Sequence, residues 1–150
     1  MKILTKLCLV FATLLFISCD PDDDNPITAS ITGDWQISTV FFGLSDIEEP
    51  LSDCDLSQII EFKENGDLEV YFNDTSNCNF NTFTTFYTLE NNTLTINYTD
   101  GLDSSTIVYS ERNNVKTLNS TTLKYVEVWN SEDGDLPIES RSTYTLIRID

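Results

Sequence analysis

The amino-acid sequence predicts an all-β fold: an antiparallel up-and-down β-barrel of about eight strands, preceded by a signal peptide and an acidic tether. Apolar and polar residues alternate with a period of two in many segments, which places successive side chains on opposite faces of a strand. From residue 27 onward the chain is rich in Thr, Ile, Val, Tyr and Phe and contains one Ala, Ala29, a composition typical of strands. Turn residues separate these segments at short intervals, and closing such a meander into a barrel removes its exposed edges.

Residues 1–18 have the features of a secretion signal. Lys2 and Lys6 precede the apolar stretch from Leu7 to Ile17, which is too short to span a bilayer, since that takes roughly 20 residues. The stretch ends in Phe16-Ile-Ser-Cys19, which resembles the lipobox of bacterial lipoproteins. The resemblance implies cleavage after the small residue and lipidation of Cys19. The alternative is an ordinary signal peptide that happens to be followed by a cysteine.

Residues 19–26 form the predicted lipidated cysteine and tether. Four Asp and two Pro lie between residues 20 and 26, and a segment of this composition cannot bury a core and stays extended. An acidic run after the lipidated cysteine resembles the export signal of some Bacteroidota surface lipoproteins. We therefore expect an outer membrane lipoprotein, on the periplasmic face or at the cell surface, attached to the membrane by its lipid. Residues 27–150 then form one barrel domain.

Two cysteines remain in the barrel once Cys8 has left with the signal peptide and Cys19 carries lipid. An even pair in an oxidising compartment predicts one disulfide, between Cys54 and Cys78. Two free thiols are the alternative. A metal site is disfavoured because the chain has no His and two lone cysteines supply too few soft ligands.

The strands are assigned from the alternation and from the turns between them. In Thr93–Tyr98, for example, Leu94, Ile96 and Tyr98 share one face, and the segment 63–67 supplies Gly66 for a hairpin turn. Further turns are predicted at Arg112–Asn114 and across 130–137, and a short turn of helix is allowed near 27–31 or 51–56. The predicted strands are residues 34–42, 57–63, 67–73, 82–89, 93–98, 105–111, 115–118, 121–129 and 141–149.

Several short motifs follow one another in a characteristic order. Ile31-Thr-Gly-Asp-Trp35 comes first, Ile59-Ile-Glu-Phe-Lys-Glu-Asn-Gly-Asp67 follows, and Thr143-Tyr-Thr-Leu-Ile-Arg148 comes last. From about Ile31 to the C-terminus the chain resembles the lipocalin-like domain of secreted Bacteroidota lipoproteins, with Gly33 and Trp35 matching the Gly-x-Trp of the first strand. The resemblance implies a barrel of about eight strands without implying a ligand. It also implies that Arg148, a basic residue late in the chain, packs across Trp35 at the closed end. The acidic segment 130–135 departs from the family pattern.

The charged residues exclude several classes of function. A net charge of −17, from 25 Asp and Glu against 8 Lys and Arg, leaves no basic surface for nucleic acid. The absence of His excludes imidazole as a base, and no Gly-x-Ser-x-Gly nucleophile elbow is present. We therefore predict no enzymatic activity, no nucleic-acid partner and no cofactor.

One acidic turn could offer oxygen ligands to Ca²⁺. Glu132, Asp133 and Asp135 surround Gly134, but their spacing does not match the EF-hand loop. A solvated acidic turn is the simpler interpretation, and we predict no metal site.

The inward phase of each strand defines the predicted interior. Aromatic side chains, among them Phe83 and Tyr87, could line a cavity there, but an eight-stranded barrel is also small enough for side chains to fill it. A cavity would be apolar with a few hydroxyls, and an anionic head group would find no cationic partner deep inside. The residues predicted to line it are Ile37, Phe62, Val70, Phe72, Ile96, Tyr98, Tyr125 and Tyr144.

Two functions follow from these alternatives. With a cavity, the barrel binds a small apolar or amphipathic molecule such as a lipid-like or aromatic compound. With a filled interior, the protein is an interaction or accessory module that acts through its loops and acidic surface.

Overall fold

A computed structural model describes residues 27, 29–44, 48–74, 79–100 and 106–149. The predicted signal peptide and tether, with Cys19, lie outside the described residues, as does Cys78. Phe72 lies on a strand, but its side chain is also outside what the structure describes.

Nine strands, one short α-helix and one 3₁₀ turn make up the described chain. The α-helix is α1 (Asp53–Leu56), and the 3₁₀ turn is Ile138–Ser140. The strands are β1 (Gly33–Phe42), β2 (Ile59–Phe62), β3 (Asp67–Asp74), β4 (Asn79–Glu90), β5 (Thr93–Thr99), β6 (Ile107–Leu118), β7 (Thr122–Asn130), β8 (Gly134–Asp135) and β9 (Ser142–Ile149).

The sheet closes on itself. Strands β1 to β7 pair antiparallel in chain order. Strand β9 then pairs with both β7 and β1, while the two-residue β8 pairs with the end of β7. Eight strands therefore form a closed barrel, which confirms the predicted fold class. The acidic segment after β7 forms a small hairpin with β8 before the chain enters β9.

The predicted turn at Arg112–Asn114 is wrong, because β6 runs through it without interruption. Both neighbours of β6 pair with this segment: Thr95 on β5 lies opposite Arg112, and Glu127 on β7 lies opposite Asn113. The β6–β7 register shifts between Arg112 and Asn113 and again between Val115 and Thr117. Pairing on both sides satisfies the backbone despite the low strand propensity of Asn, and the irregularities absorb the misfit.

The short helix predicted near 51–56 is present as α1. Ser52 caps it: its Oγ accepts from the Asp55 backbone N at 3.2 Å, and its backbone N donates to Asp55 Oδ2 at 3.0 Å, which forms a capping box. The Gln36 side chain donates to the Leu56 carbonyl and holds the helix against β1. Within the described ranges, residues 27–31 form no helix, and no helix is long and apolar enough to cross a membrane.

The tightest packing lies at one end of the barrel. Trp35 near the start of β1, Phe62 at the end of β2 and Leu68 near the start of β3 are fully buried, as are Leu94 and Leu118. Because neighbouring strands are antiparallel, these positions meet at the same end, where Leu123 and Leu146 join them. This apolar layer forms the floor of the barrel.

Candidate functional site

The floor is sealed by the two residues that were predicted to meet there. Trp35 is fully buried, and its Nε1 donates to the Ile31 carbonyl at 2.7 Å. The Arg148 guanidinium carbon lies 4.3 Å from the Trp35 ring centroid. Its Nη1 and Nη2 donate to the carbonyls of Thr32 and Ser30, each at 2.7 Å. The structure thus brings Trp35 and Arg148 together and ties the segment before β1 to the last strand.

Gly33 makes this arrangement possible. Its φ is +127°, and a Cβ at this position would lie 2.4 Å from Arg148 Nη1. Only glycine adopts this backbone conformation without strain and also leaves room for the guanidinium. Arg148 therefore explains both residues of the Gly-x-Trp motif: its guanidinium packs on the Trp35 ring and occupies the space beside Gly33.

A cavity of about 390 Å³ lies inside the barrel. Its size falls within the range of small-molecule pockets, about 300–1,000 Å³, so the interior is not filled by side chains. All the predicted lining residues whose side chains are described border it: Ile37, Phe62, Val70, Ile96, Tyr98, Tyr125 and Tyr144. Phe83, an aromatic candidate from the sequence, borders it as well, and the structure adds Gln58, Ile60, Leu68 and Glu111.

Aromatic rings form much of the cavity wall. Tyr125 and Tyr144 stack with centroids 5.1 Å apart, and Tyr98 lies 6.0 Å from Phe83. Tyr87, another candidate from the sequence, packs edge-on against Phe62 at 4.9 Å, and its hydroxyl donates to the Lys63 carbonyl at 2.8 Å. Its hydroxyl is therefore committed to a backbone contact, and Tyr87 is not among the residues that line the cavity.

Glu111 is the functional candidate that the sequence analysis missed. It lies on β6 opposite Ile96 of β5 and is half-buried at the cavity. Asn113 Nδ2 donates to its Oε1 at 3.1 Å. Burial raises the pKa of the carboxyl to about 7, with a further contribution from Glu127, while hydrogen bonds from Asn113 and Tyr98 act in the opposite direction. The group therefore changes charge near neutral pH.

The tyrosine hydroxyls around Glu111 remain protonated at physiological pH. Burial is the main cause that raises the pKa of Tyr98, Tyr125 and Tyr144, and the negative charge of Glu111 adds to it in each case. These hydroxyls can therefore donate hydrogen bonds. The predicted lining of apolar groups and hydroxyls was incomplete, because a carboxyl group lies among them.

A sequence signal for Glu111 did exist. Glu111, Asn113 and Val115 alternate with the exposed residues Arg112 and Asn114, which is the period of a strand with one buried face. The predicted turn at Arg112–Asn114 divided this pattern and concealed it.

The acidic turn after β7 is organised by an asparagine. Asn130 Oδ1 accepts from the backbone N of Glu132 at 3.1 Å and of Asp133 at 2.7 Å, and its Nδ2 donates to Asp133 Oδ2 at 3.2 Å. In the part of the chain that the structure describes, no group of three or more acidic or Cys side chains is placed to hold a metal ion. Glu132 and Asp135 are exposed, so the turn has the features of a solvated loop.

Cys54 lies on α1, and its predicted partner Cys78 is outside the described residues. The Cys54–Cys78 disulfide therefore stays a prediction.

Comparison with known proteins supports the fold. The family model of the lipocalin-like domain matches residues 31–125. A lipocalin-like protein from Bacteroides uniformis ATCC 8492 is 13% identical, with a TM-score of 0.53 over 79% of this chain and 97% of that chain. An uncharacterized protein from Bacteroides eggerthii DSM 20697 is also 13% identical, with a TM-score of 0.51 over 80% of this chain and 100% of that chain. No curated protein matches.

Proposed function

We propose that this chain, which belongs to the lipocalin-like domain family, is a membrane-anchored lipoprotein that holds a small apolar or amphipathic molecule in its barrel. The cavity of about 390 Å³ carries the proposal. Its lining combines aliphatic and aromatic side chains with a few polar groups, the usual composition of a small-molecule site.

The binding energy would come mainly from apolar burial. Each Å² of apolar surface removed from water contributes about 25 cal/mol, and Ile37, Ile60, Val70, Phe83 and Ile96 offer such surface. The floor end of the barrel is already tightly packed, so little ordering of that end is required when a ligand enters.

The proposed location rests on the N-terminal motif. Phe16-Ile-Ser-Cys19, followed by four Asp within residues 20–26, supports a lipid anchor on Cys19 and a place at the outer membrane. The anchor would hold the barrel near lipids and other amphipathic molecules, where a ligand of this kind is concentrated.

An interaction module that acts through its loops is the second candidate. Phe42 and Leu44 are exposed by 52% and 70% at the end of β1, and Ile138 is exposed by 52%. The Gly43 backbone N donates to the Arg141 carbonyl at 2.8 Å, so the two segments lie together. This apolar group favours a partner at that end of the barrel.

A fluorescence titration tests the ligand-binding proposal. The barrel, residues 27–150, is titrated with the neutral apolar dye Nile red after circular dichroism has established that it is folded. Tyr98→Trp should lower dye affinity about tenfold or more by occupying the cavity. Val108→Trp, at a position that is 59% exposed on β6, is the matched control and should bind as the wild type does. No dye binding, or binding that ignores Tyr98→Trp, favours the interaction module.

A further inference from the structure

We propose that the ligand carries a cationic amine, which Glu111 binds inside the barrel together with the hydroxyls of Tyr98, Tyr125 and Tyr144. This inference rests on the proposed function and specifies the class of molecule that the cavity takes.

The polar groups converge on one region of the cavity from four strands. Glu111 lies on β6, Tyr98 on β5, Tyr125 on β7 and Tyr144 on β9, and all four line the cavity. Tyr98 hydrogen-bonds to the Glu111 carboxyl, and Tyr125 and Tyr144, which stack on each other, line the same cavity. An ammonium group has three N–H donors, and it can use a carboxylate and hydroxyl oxygens as acceptors.

None of the described residues that line the cavity is Lys or Arg, so this part of the lining offers the carboxylate no positive partner. The nearby charged group is another carboxylate, Glu127, which lies opposite Asn113 and raises the pKa of Glu111. A carboxylate withdrawn from water without a cation is costly, and a bound ammonium supplies the missing charge. The same field repels fatty acids and other anions.

Asn113 orients the Glu111 carboxylate through the nitrogen of its side-chain amide, while the oxygen of that amide is left without a partner among the described residues. Asn113 is fully buried, and its Nδ2 donates to Glu111 Oε1 at 3.1 Å and to the Leu94 carbonyl at 3.4 Å. Its Oδ1 finds no hydrogen-bond partner among the described residues. A buried polar atom without a partner is destabilising, and the Asn113 side chain nevertheless adopts the position in which its Nδ2 donates to the Glu111 carboxylate.

The inference gives binding a pH dependence with a definite sign. The groups that face Glu111 are Tyr98 on β5, Tyr109 and Asn113 on β6, Tyr125 and Glu127 on β7, and Tyr144 on β9. With a pKa of about 7, Glu111 is mostly protonated at about pH 5 and mostly ionised at about pH 8. An alkylammonium keeps its charge throughout this range, so its affinity should rise with pH.

Three probes with the same alkyl chain and different head groups test the inference: octylamine, octanol and octanoate. The full chain is placed in nanodiscs of uncharged lipid, and binding is measured by isothermal titration calorimetry, with empty nanodiscs as the blank. We expect octylamine to bind most tightly at about pH 8 and octanoate most weakly. Glu111→Gln should weaken octylamine about tenfold or more, the size of a charge-assisted hydrogen bond, and leave octanol unchanged. Glu90→Gln, at an exposed position on β4, is the matched control.

The outcomes separate the inference from the proposed function. If octanol and octanoate bind and octylamine has no advantage, or if Glu111→Gln does not weaken octylamine, the amine inference is wrong and the ligand-binding barrel stands. If none of the three binds, both are overturned. Should Glu111→Gln fail to fold, the wild type alone decides: octylamine affinity must rise from about pH 5 to about pH 8 while octanol affinity stays level.

Discussion

The guanidinium of Arg148 lies over the indole ring of Trp35, 4.3 Å from its centroid, and the two residues are register partners across the β1–β9 pair. This pair therefore fastens the first strand to the last, where the meander closes. The same guanidinium donates to two backbone carbonyls that precede β1. The Arg148 side chain thus links the Trp35 ring, the β1–β9 strand pairing and the chain segment that leads into β1.

Replacing Arg148 with Met should lower the free energy of unfolding by about 3–5 kcal/mol. The cation–π contact contributes roughly 0.5–2 kcal/mol, and each hydrogen bond from a charged donor about 1.5 kcal/mol or more. Urea unfolding measures the change. Arg112→Met is the matched control, because the Arg112 guanidinium also lies over a ring, 4.1 Å from the Trp129 centroid, but the residue is exposed. A loss there equal to that of Arg148→Met would contradict a special role for the floor contact.

Gly33→Ala should destabilise the barrel more than the same change at another glycine with positive φ. At Gly33 the new methyl would lie 2.4 Å from Arg148 Nη1, whereas at Gly134, with φ +76°, nothing lies within 4 Å. Backbone strain alone costs about 1–3 kcal/mol at either position, and Gly33→Ala should exceed Gly134→Ala by about 1 kcal/mol or more through the displaced guanidinium. Thermal unfolding of the two variants side by side provides the comparison. Similar losses of stability in the two variants would mean that the Arg148 side chain moves aside without an energetic penalty, contrary to this prediction.

The strand pattern of this chain was largely predictable because one face of each strand is buried. Burial fixes the phase of Leu94, Ile96 and Tyr98, and a slip by one residue would turn all three to the other face. The position of Arg148 across Trp35 was implied by the resemblance to lipocalin-like domains. The strand phase is a local pattern, whereas the contact of Arg148 with Trp35 joins the two ends of the chain where the sheet closes.

The cavity and the charged group inside it could not be predicted from the alternation of residues along the strands alone. Alternation shows that Glu111 shares a face with Val115, but whether that face is filled depends on side-chain volumes from all eight strands. The continuity of β6 through Arg112–Asn114 was likewise hidden, since pairing with β5 and β7 outweighs the local preference of Asn for turns. Long-range packing therefore determined the features that the sequence left undecided.

Oxidation of Cys54 and Cys78 to a disulfide should stabilise the protein by about 3 kcal/mol relative to the reduced form, since the bond would close a loop of about 25 residues. The comparison is urea unfolding with and without a reductant. The double substitution of both cysteines by Ser should match the reduced protein and should not respond to the reductant. Two alkylatable thiols in the protein purified from its own envelope would rule the bond out.

Lipidation of Cys19 should send the mature protein into the detergent phase of a Triton X-114 partition, and mass spectrometry should find acyl chains on its first residue. Cys19→Ala should abolish both results. Cys54→Ala controls for a general effect of losing a cysteine and should leave partitioning unchanged. Wild-type protein that retains Met1 or stays in the aqueous phase would contradict the predicted anchor.

Glu111→Gln should change the stability of the ligand-free barrel in a pH-dependent way. Burial raises the carboxyl pKa from an ordinary value of 4.5 to about 7, so between these values the folded state binds more protons than the unfolded state. Stability therefore falls as pH rises through this interval, and above it the ionised Glu111 carries the full penalty. The Gln variant lacks the penalty and should gain about 3 kcal/mol over the wild type at about pH 8, with the gain vanishing near about pH 4, because each unit of pKa difference corresponds to about 1.4 kcal/mol. Urea unfolding across this range measures the difference, with Glu90→Gln as the exposed control. A difference that stays constant with pH would show that the carboxyl is not desolvated at the cavity.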